Sequence, residues 1–344
     1  MVSSADKKQD QRHQELLDLV KAIQPRITVD TAHDTTDKIF NEQIDIFRDL
    51  ISDNQQKAAI TALEKFKDLK WEDLSDHLRF RVATNIAAAK LRMGDNNKDA
   101  ATALLEAAKF DPTSQKALYN TAVAFWVLGE YQRSREAADA AVKKYPDNPE
   151  SFQALILALS TDISCEDPLP FIPEFFLNHP DVVLQIGDFF QRKNNRTKSR
   201  EWFEKAYKLR PSHLETQDVY ATVILEELFA EPAIVFGRQL TEPQRMQMDE
   251  ARSLLSTVWG MVKDSDVSLR FISSVINLSN VERLLGNSEF AITIIEEALQ
   301  RHPGNILLNK QRVFCLVSLG RHDEACSVLK GMPDDAFEGK PIVE

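Results

Sequence analysis

Five helices expected from the sequence carry an amide side chain at an equivalent place. The five amides are Asn85, Asn120, Gln185, Asn277 and Gln311. Because an amide both donates and accepts hydrogen bonds, a row of amides can pair with the N–H and C=O groups of an extended peptide. Basic side chains at Arg81, Lys116 and Lys310 would attract an acidic side chain or a terminal carboxylate. We predict that these eight residues line a groove that holds a segment of a partner protein.

A plainer interpretation of the same residues stays open. Asn and Gln are common on any solvated helix surface, so their recurrence does not by itself require a ligand. Ile156 and Val219 occupy the equivalent place in two less regular segments and interrupt the series.

Motifs for catalysis are missing from the sequence. It contains no glycine-rich phosphate loop, no GxSxG nucleophile turn and no HExxH zinc motif. The seven histidines are scattered, mostly in expected turns, without metal-ligand spacing. Carboxylate pairs such as Glu226 and Glu227 are expected on solvated helix surfaces. We therefore predict no catalytic residue, no metal site and no cofactor, and a protein that is not an enzyme.

The elements that would position the groove follow from an internal repeat. Amphipathic segments that end at a proline recur, among them LLEAAKFDP at 104–112, WFEKAYKLRP at 202–211 and IIEEALQRHP at 294–303. Pro112 and Pro146 are 34 residues apart. A turn residue precedes each proline by 17 or 18 residues, at Gly94, Gly129, Asn194 and Gly286. Each unit is expected to be two helices joined by a short turn, and the proline ends the second helix.

Small residues recur at two places in each unit, where they would let the two helices approach closely. They are Ala87, Ala122, Gly187 and Ser279 in the first helices, and Ala107, Ala141, Ala206 and Ala298 in the second. Together with the 34-residue period, this pattern resembles the tetratricopeptide repeat family, without pointing to a particular member. The resemblance implies an all-α fold, a right-handed α-solenoid of stacked helix–turn–helix repeats whose first helices line a concave groove.

The repeats and the stretches between them divide the chain into six predicted parts. These are a disordered tail at 1–11, N-terminal helices or a degenerate repeat at 12–78, a repeat array at 80–179 that ends in a proline-rich irregular segment, a repeat with a divergent long-helix insert at 180–265, a C-terminal pair of repeats at 266–332, and a tail at 333–344. Within the second part, apolar faces predict helices at 12–24, 35–52 and 55–69.

Two stretches interrupt the period. Residues 164–180 carry four prolines together with Phe171, Phe175 and Phe176. These aromatic rings either pack onto the repeats or form an exposed contact surface, and the sequence leaves both open. Further on, Thr241 is expected to cap a helix that is longer than a repeat helix.

The C-terminal repeat ends near Lys330 without a visible polar capping helix, which repeat stacks usually carry. We therefore expect Phe314 and Leu329 to be uncovered at this end. Either a partner docks there or the chain is a fragment of a longer protein.

Charge and cysteine content restrict the classes of partner. The chain has 344 residues, and 53 acidic against 42 basic residues give a net charge of −11. This charge disfavours nucleic-acid binding, which needs a positive surface. The three cysteines form no paired framework, and no segment has the features of a signal peptide or a membrane span. The sequence predicts a cytoplasmic protein with no membrane partner.

The predicted function is a protein–protein interaction scaffold or adaptor that binds a peptide or helical segment of its partner in the concave groove. The alternative is a sensor or regulatory arm of a larger multidomain or multisubunit effector, with catalysis elsewhere. The uncovered C-terminal end favours this alternative.

Overall fold

The computed structural model describes residues 32–94, 96–231, 234, 240–333 and 336. Within this part of the chain the secondary structure is helical and includes no strand, which confirms the all-α prediction. The predicted tail at 1–11 and helix at 12–24 lie outside the described residues, as does most of the C-terminal tail. None of the described helices combines the length and the apolar character that crossing a membrane requires.

The described residues include fifteen α-helices, labelled here in chain order. They are α1 (Ala32–Ser52), α2 (Gln56–Lys70), α3 (Asp76–Met93), α4 (Asn97–Ala108), α5 (Gln115–Val127), α6 (Tyr131–Lys144), α7 (Pro149–Leu159), α8 (Pro180–Arg192), α9 (Arg196–Leu209), α10 (Leu214–Phe229), α11 (Glu242–Val262), α12 (Ile272–Leu284), α13 (Ser288–Arg301), α14 (Ile306–Ser318) and α15 (His322–Lys330). Short 3₁₀ helices lie at Trp71–Asp73, Leu169–Phe171, Glu174–Asn178 and Ser268–Phe271.

These helices belong to two compact units. The first comprises the described residues up to Gln185 together with Ser265–Val267, and the second comprises those of Ile186–Asp264 and from Ser268 onward. The division therefore falls inside α8, whereas the sequence places a boundary at the start of that helix. The six-part division of the chain stays a prediction.

Each unit is a stack of helix–turn–helix hairpins. In the first unit, helices α1 to α7 pack against one another in chain order, and in the second unit α9 to α15 do the same. The first helix of one hairpin also contacts the first helix of the next, as in the pairs α1–α3, α5–α7, α10–α12 and α12–α14. We call the surface that these helices share within one unit the first-helix face of that unit.

The turns between paired helices confirm the predicted register. Gly94, Gly129 and Gly286 have φ angles of 78°, 80° and 89°, and Asn194 has a φ angle of 56°. This left-handed conformation is open to glycine and tolerated by asparagine, but it is costly for other residues. A residue of this kind therefore follows these four first helices and reverses the chain.

The predicted small residues lie at the contacts between paired helices. Ala122 on α5 and Ala141 on α6 are buried, and Gly187 on α8 lies against the ring of Phe203 on α9. Ser199 on α9 adds a hydrogen bond, since its hydroxyl donates to the Gly187 carbonyl oxygen at 3.3 Å. The two helices of these hairpins can approach closely because the residues at their crossing have small side chains.

The proline-rich stretch at 164–180 takes the place of a second helix after α7. Phe176 is buried and packs on Phe152 of α7, with ring centroids 5.1 Å apart. Phe171 and Phe175 remain exposed. Both sequence interpretations therefore apply, because one ring anchors the segment and two rings stay open to contact.

The long helix α11 begins at the predicted cap. The Gln244 backbone N–H donates to the Thr241 hydroxyl at 3.4 Å, and the Thr241 N–H donates to the Gln244 side chain at 3.0 Å. This reciprocal capping box satisfies two donors at the helix start. Further along the helix, Arg252 Nε donates to Glu282 Oε1 on α12 at 2.6 Å, which joins α11 to the next hairpin.

Candidate protein-binding groove

In the first unit, the predicted basic groove residues pair with neighbouring first helices. Arg81 on α3 donates to Asp45 Oδ1 on α1 at 2.7 Å, and it also donates to Asn41. Lys116 on α5 pairs with Glu150 on α7 at 2.5 Å. A ligand that bound to either cation would have to share it with a carboxylate of the protein.

The amides of this unit differ in exposure. Asn85 on α3 is partly exposed, whereas Asn120 on α5 is buried. The Asn120 Nδ2 atom has no hydrogen-bond partner among the described residues, although it is covered by protein. A ligand could reach this donor only after the surrounding side chains move. Gln185 on α8 is partly buried.

In the second unit, two predicted amides connect first helices to each other. Asn277 Nδ2 on α12 donates to Thr222 Oγ1 on α10 at 3.4 Å. Gln311 Nε2 on α14 donates to Asn280 Oδ1 on α12 at 2.9 Å. Lys310 beside it is partly exposed. These amides are thus partly satisfied within the protein, and their direct contact with a ligand stays a prediction.

Two adjoining cavities lie in the second unit. The larger cavity, of about 550 Å³, is lined by residues of α8, α9 and α10 that include Asp188, Gln191, Arg192, Arg196 and Glu226. The smaller, of about 260 Å³, is lined mainly by α10, α12 and α14, with Leu225, Phe229, Ile276 and Leu307 among its residues. Arg196 and Glu226 line both cavities, so a polar space continues into an apolar one.

Carboxyl groups in and beside the larger cavity are desolvated. Burial raises the pKa of Asp188 to about 6. Burial also raises the pKa of Asp218 on α10 to about 6, although the Ser274 hydroxyl donates to its Oδ1 at 2.5 Å and acts in the opposite direction. The pKa of Glu226 is raised by burial too, against a hydrogen bond from Gln191 at 3.5 Å. Such desolvation favours the neutral acid or a bound cation.

Metal binding is not indicated in this part of the molecule. No group of three or more His, Cys, Asp or Glu side chains suited to a metal ion occurs among the described residues. Three carboxylates near the larger cavity instead have a partner: Glu226 accepts from Gln191, Asp218 from Ser274, and Glu215 pairs with Arg270 at 2.6 Å.

Sequence reasoning missed Asp188 and Glu226 as groove residues. Asp188 follows Gln185 by three residues, so both lie on one face of α8. This spacing could have identified Asp188 as a groove residue. Glu226 was expected on a solvated surface, but it is partly buried and lines both cavities. Its burial depends on α8 and α9 lying over α10, which helix periodicity alone does not reveal.

An apolar row on α14 continues the wall of the smaller cavity. Leu307, Phe314 and Val317 follow helical spacing along one face, and Leu307 lines the cavity. Their exposed fractions are 39%, 48% and 49%. Phe314, predicted at an uncovered end, therefore shares the face of α14 that lines the smaller cavity, and Leu329 on α15 is also exposed.

Stacked hairpins, small residues at helix crossings and left-handed turn residues define a helical-repeat protein. Family models of the tetratricopeptide repeat match residues 84–149 and 180–213. The chain therefore contains tetratricopeptide repeats at these residues, as the 34-residue period predicts.

Solved structures of the same architecture include yeast Tom70. It superposes with a TM-score of 0.51 at 16% identity, over 88% of this chain and 62% of that chain. A chain of the APC/C hetero-tetramer Cut9–Hcn1 gives a TM-score of 0.53 at 10% identity, over 98% of this chain and 59% of that one. The chain thus spans about three fifths of the length of either protein. At these identities the likeness extends to the fold alone, and no curated protein matches the sequence.

Proposed function

We propose that the chain is a protein-interaction scaffold whose first-helix face binds a segment of a partner protein. The adjoining cavities of the second unit carry this proposal, because polar groups such as Asp188 and Glu226 lie beside apolar Ile276 and Leu307. A peptide or helical segment presents the same mixture, with polar groups next to apolar side chains. Tetratricopeptide repeats generally supply binding surfaces, and no catalytic step is part of the proposal.

The residues predicted from the sequence are proposed as partner contacts within each unit taken by itself. Arg81, Asn85, Lys116, Asn120 and Gln185 would contact a partner in the first unit, and Asn277, Lys310 and Gln311 would contact a partner in the second. We place this adaptor in the cytoplasm, since none of its three cysteines, all of which lie among the described residues, forms a disulfide.

A second candidate is a regulatory arm of a larger effector. The observation that favours it is the exposure of Phe314, Val317 and Leu329 on the last hairpin. Apolar side chains in this number on one hairpin offer a surface for a further protein domain.

The experiment is affinity capture from native lysate followed by mass spectrometry. It compares the wild type with a first-unit variant, Lys116→Glu with Asn120→Ala, and a second-unit variant, Leu307→Asp. The control is Lys143→Glu, an equal charge change at an exposed site on the second helix α6. We expect a partner that wild type and control both enrich and that at least one groove variant loses.

Capture of the same proteins at the same yield by all four chains would contradict binding at the first-helix face. Loss confined to a Leu329→Asp variant would instead support docking at the last hairpin. Circular dichroism of each variant verifies that the helices have formed.

A further inference from the structure

Asp188 is the carboxylate near the larger cavity that lacks a partner. It makes no hydrogen bond and no ion pair within 4 Å with any residue the structure describes, although the charges of Arg192 and Arg270 act on it. Its neighbours are engaged, since Glu215 pairs with Arg270 at 2.6 Å and Asp218 accepts from Ser274 at 2.5 Å. A desolvated carboxylate without a partner is costly unless a cation or donor arrives to compensate it.

The charges around Asp188 come from every element packed near it. They are Arg192 on α8, Arg196 on α9, Glu215, Asp218 and Glu226 on α10, and Arg270 in the 3₁₀ helix before α12. Arg192 and Arg196 are exposed, and Arg270 is already paired. Of the charged side chains that line the cavity, the two carboxylates, Asp188 and Glu226, are therefore partly buried, whereas the two arginines are exposed.

Beside this acidic space the wall becomes apolar. Phe229, Ile276 and Leu307 line the smaller cavity, and the apolar row of α14 continues from Leu307. Glu226 lines both spaces and accepts a hydrogen bond from Gln191 through one of its carboxylate oxygens. A ligand that fills both cavities thus needs a positive group and an apolar group close together.

We propose that the larger cavity receives a lysine or arginine side chain of the partner segment, which pairs with Asp188, while apolar neighbours of that residue lie against α12 and α14. This inference rests on the proposed scaffold function and names the chemistry of its ligand. Charge complementarity supports it, because an ammonium or guanidinium group in the cavity supplies the charge-assisted hydrogen bonds that Asp188 does not receive from any described residue.

The test pans a phage-displayed random peptide library on the immobilised full chain. Peptides synthesised from the enriched sequences are then titrated by fluorescence anisotropy. We expect enrichment of Lys or Arg next to Leu, Ile or Phe. Asp188→Asn should weaken binding about tenfold or more, because it removes one partner of a desolvated charge pair. The matched control Asp323→Asn, at an exposed site on α15, should leave affinity unchanged.

A double-mutant cycle identifies the direct contact. Replacing the basic residue of the peptide by Gln should weaken binding to the wild type about as much as Asp188→Asn does. The same replacement in the peptide should weaken its binding to the Asp188→Asn variant only slightly further. Circular dichroism confirms that this conservative variant is folded.

Three results would overturn the inference. They are enrichment of acidic peptides, equal affinity of basic peptides for wild type and Asp188→Asn, and no enrichment at all. If enriched peptides are weakened by Lys116→Glu with Asn120→Ala instead, the scaffold function stands and only the site is wrong. If lysate capture also yields no partner lost in the groove variants, the scaffold function fails as well.

Discussion

The ring of Phe203 occupies the space that a Cβ atom on Gly187 would need. A Cβ built on Gly187 would lie 2.5 Å from the ring atoms Cδ1 and Cε1, well inside contact distance. Phe203 is fully buried and Gly187 belongs to the row of small residues predicted from the repeat. The α8–α9 hairpin therefore requires glycine at a place where Ala87 and Ala122 are accommodated in the first unit.

Gly187→Ala is expected to destabilise the second unit by about 2 kcal/mol, because overpacking forces Phe203 or the helix to move. Urea unfolding followed by circular dichroism measures the change. The matched control is Gly260→Ala on α11, where a Cβ would meet nothing within 4 Å. That substitution should stabilise the helix by up to about 1 kcal/mol. Equal effects of the two substitutions would contradict the packing argument.

The buried carboxyls predict that part of the folding stability is lost as pH rises. Asp188 and Asp218 each have a folded-state pKa of about 6, against an ordinary value of 3.8. Between about pH 4 and pH 6 the unfolded chain releases these protons and the folded protein keeps them, so the free energy of unfolding decreases with pH. Above about pH 6 the loss is complete, and it amounts to about 3 kcal/mol for each carboxyl.

The Asp188→Asn variant tests this pH dependence. Relative to the wild type, its free energy of unfolding should rise between about pH 4 and pH 6 and stay level above that range. Adding Asp218→Asn should increase the rise. A difference from the wild type that is constant over the whole range would show that Asp188 is not desolvated in the folded state.

Glu282 on α12 is 1% exposed and accepts hydrogen bonds from Arg252 at 2.6 Å and from Asn287 at 2.8 Å. Arg252→Met should cost about 2 kcal/mol, since it leaves a buried carboxylate with one fewer donor. The double variant Arg252→Met with Glu282→Leu should recover most of this loss, because no buried charge remains. Thermal unfolding of the three variants and the wild type measures the effect. If the double variant is as unstable as Arg252→Met alone, an unpaired buried charge is not the cause of the loss.

Arg81 is expected to act first as a link between α1 and α3. Arg81→Met should lower the free energy of unfolding by about 1 kcal/mol, because the ion pair with Asp45 and the hydrogen bond to Asn41 are lost. When Asp45→Ala is combined with Arg81→Met, the free energy of unfolding should decrease little further. If Arg81→Met leaves unfolding unchanged and still weakens partner binding, its main role is in the groove.

Much of the repeat register could be predicted because local conformation imposes it. Gly94, Gly129 and Asn194 are needed wherever a first helix must reverse through a left-handed residue, and the spacing to the next proline follows from helix length. Ala122 and Ala141 were predictable for the same kind of reason, since helices approach only where side chains are small. The Thr241 cap likewise depends on a few neighbouring residues.

The groove could be predicted less completely, because a side chain's role depends on its neighbours across the stack. The matched positions identified Asn277 and Gln311 as first-helix residues, but not their hydrogen bonds to Thr222 and Asn280. Arg81 is a residue type that often contacts an acidic ligand, but in the structure it is paired with Asp45.

By itself, then, the sequence determined an all-α protein with tetratricopeptide repeats and the places of the turns in those repeats, because these features depend on backbone conformation and helix period. Only the tertiary structure decided which polar side chains remain without a partner. Lys116 is paired with Glu150 of the neighbouring first helix, whereas Asp188 lines a cavity and makes no hydrogen bond with a described residue. That difference arises from packing between different helices, because this packing determines how far each charge is removed from water and how close the nearest opposite charge lies.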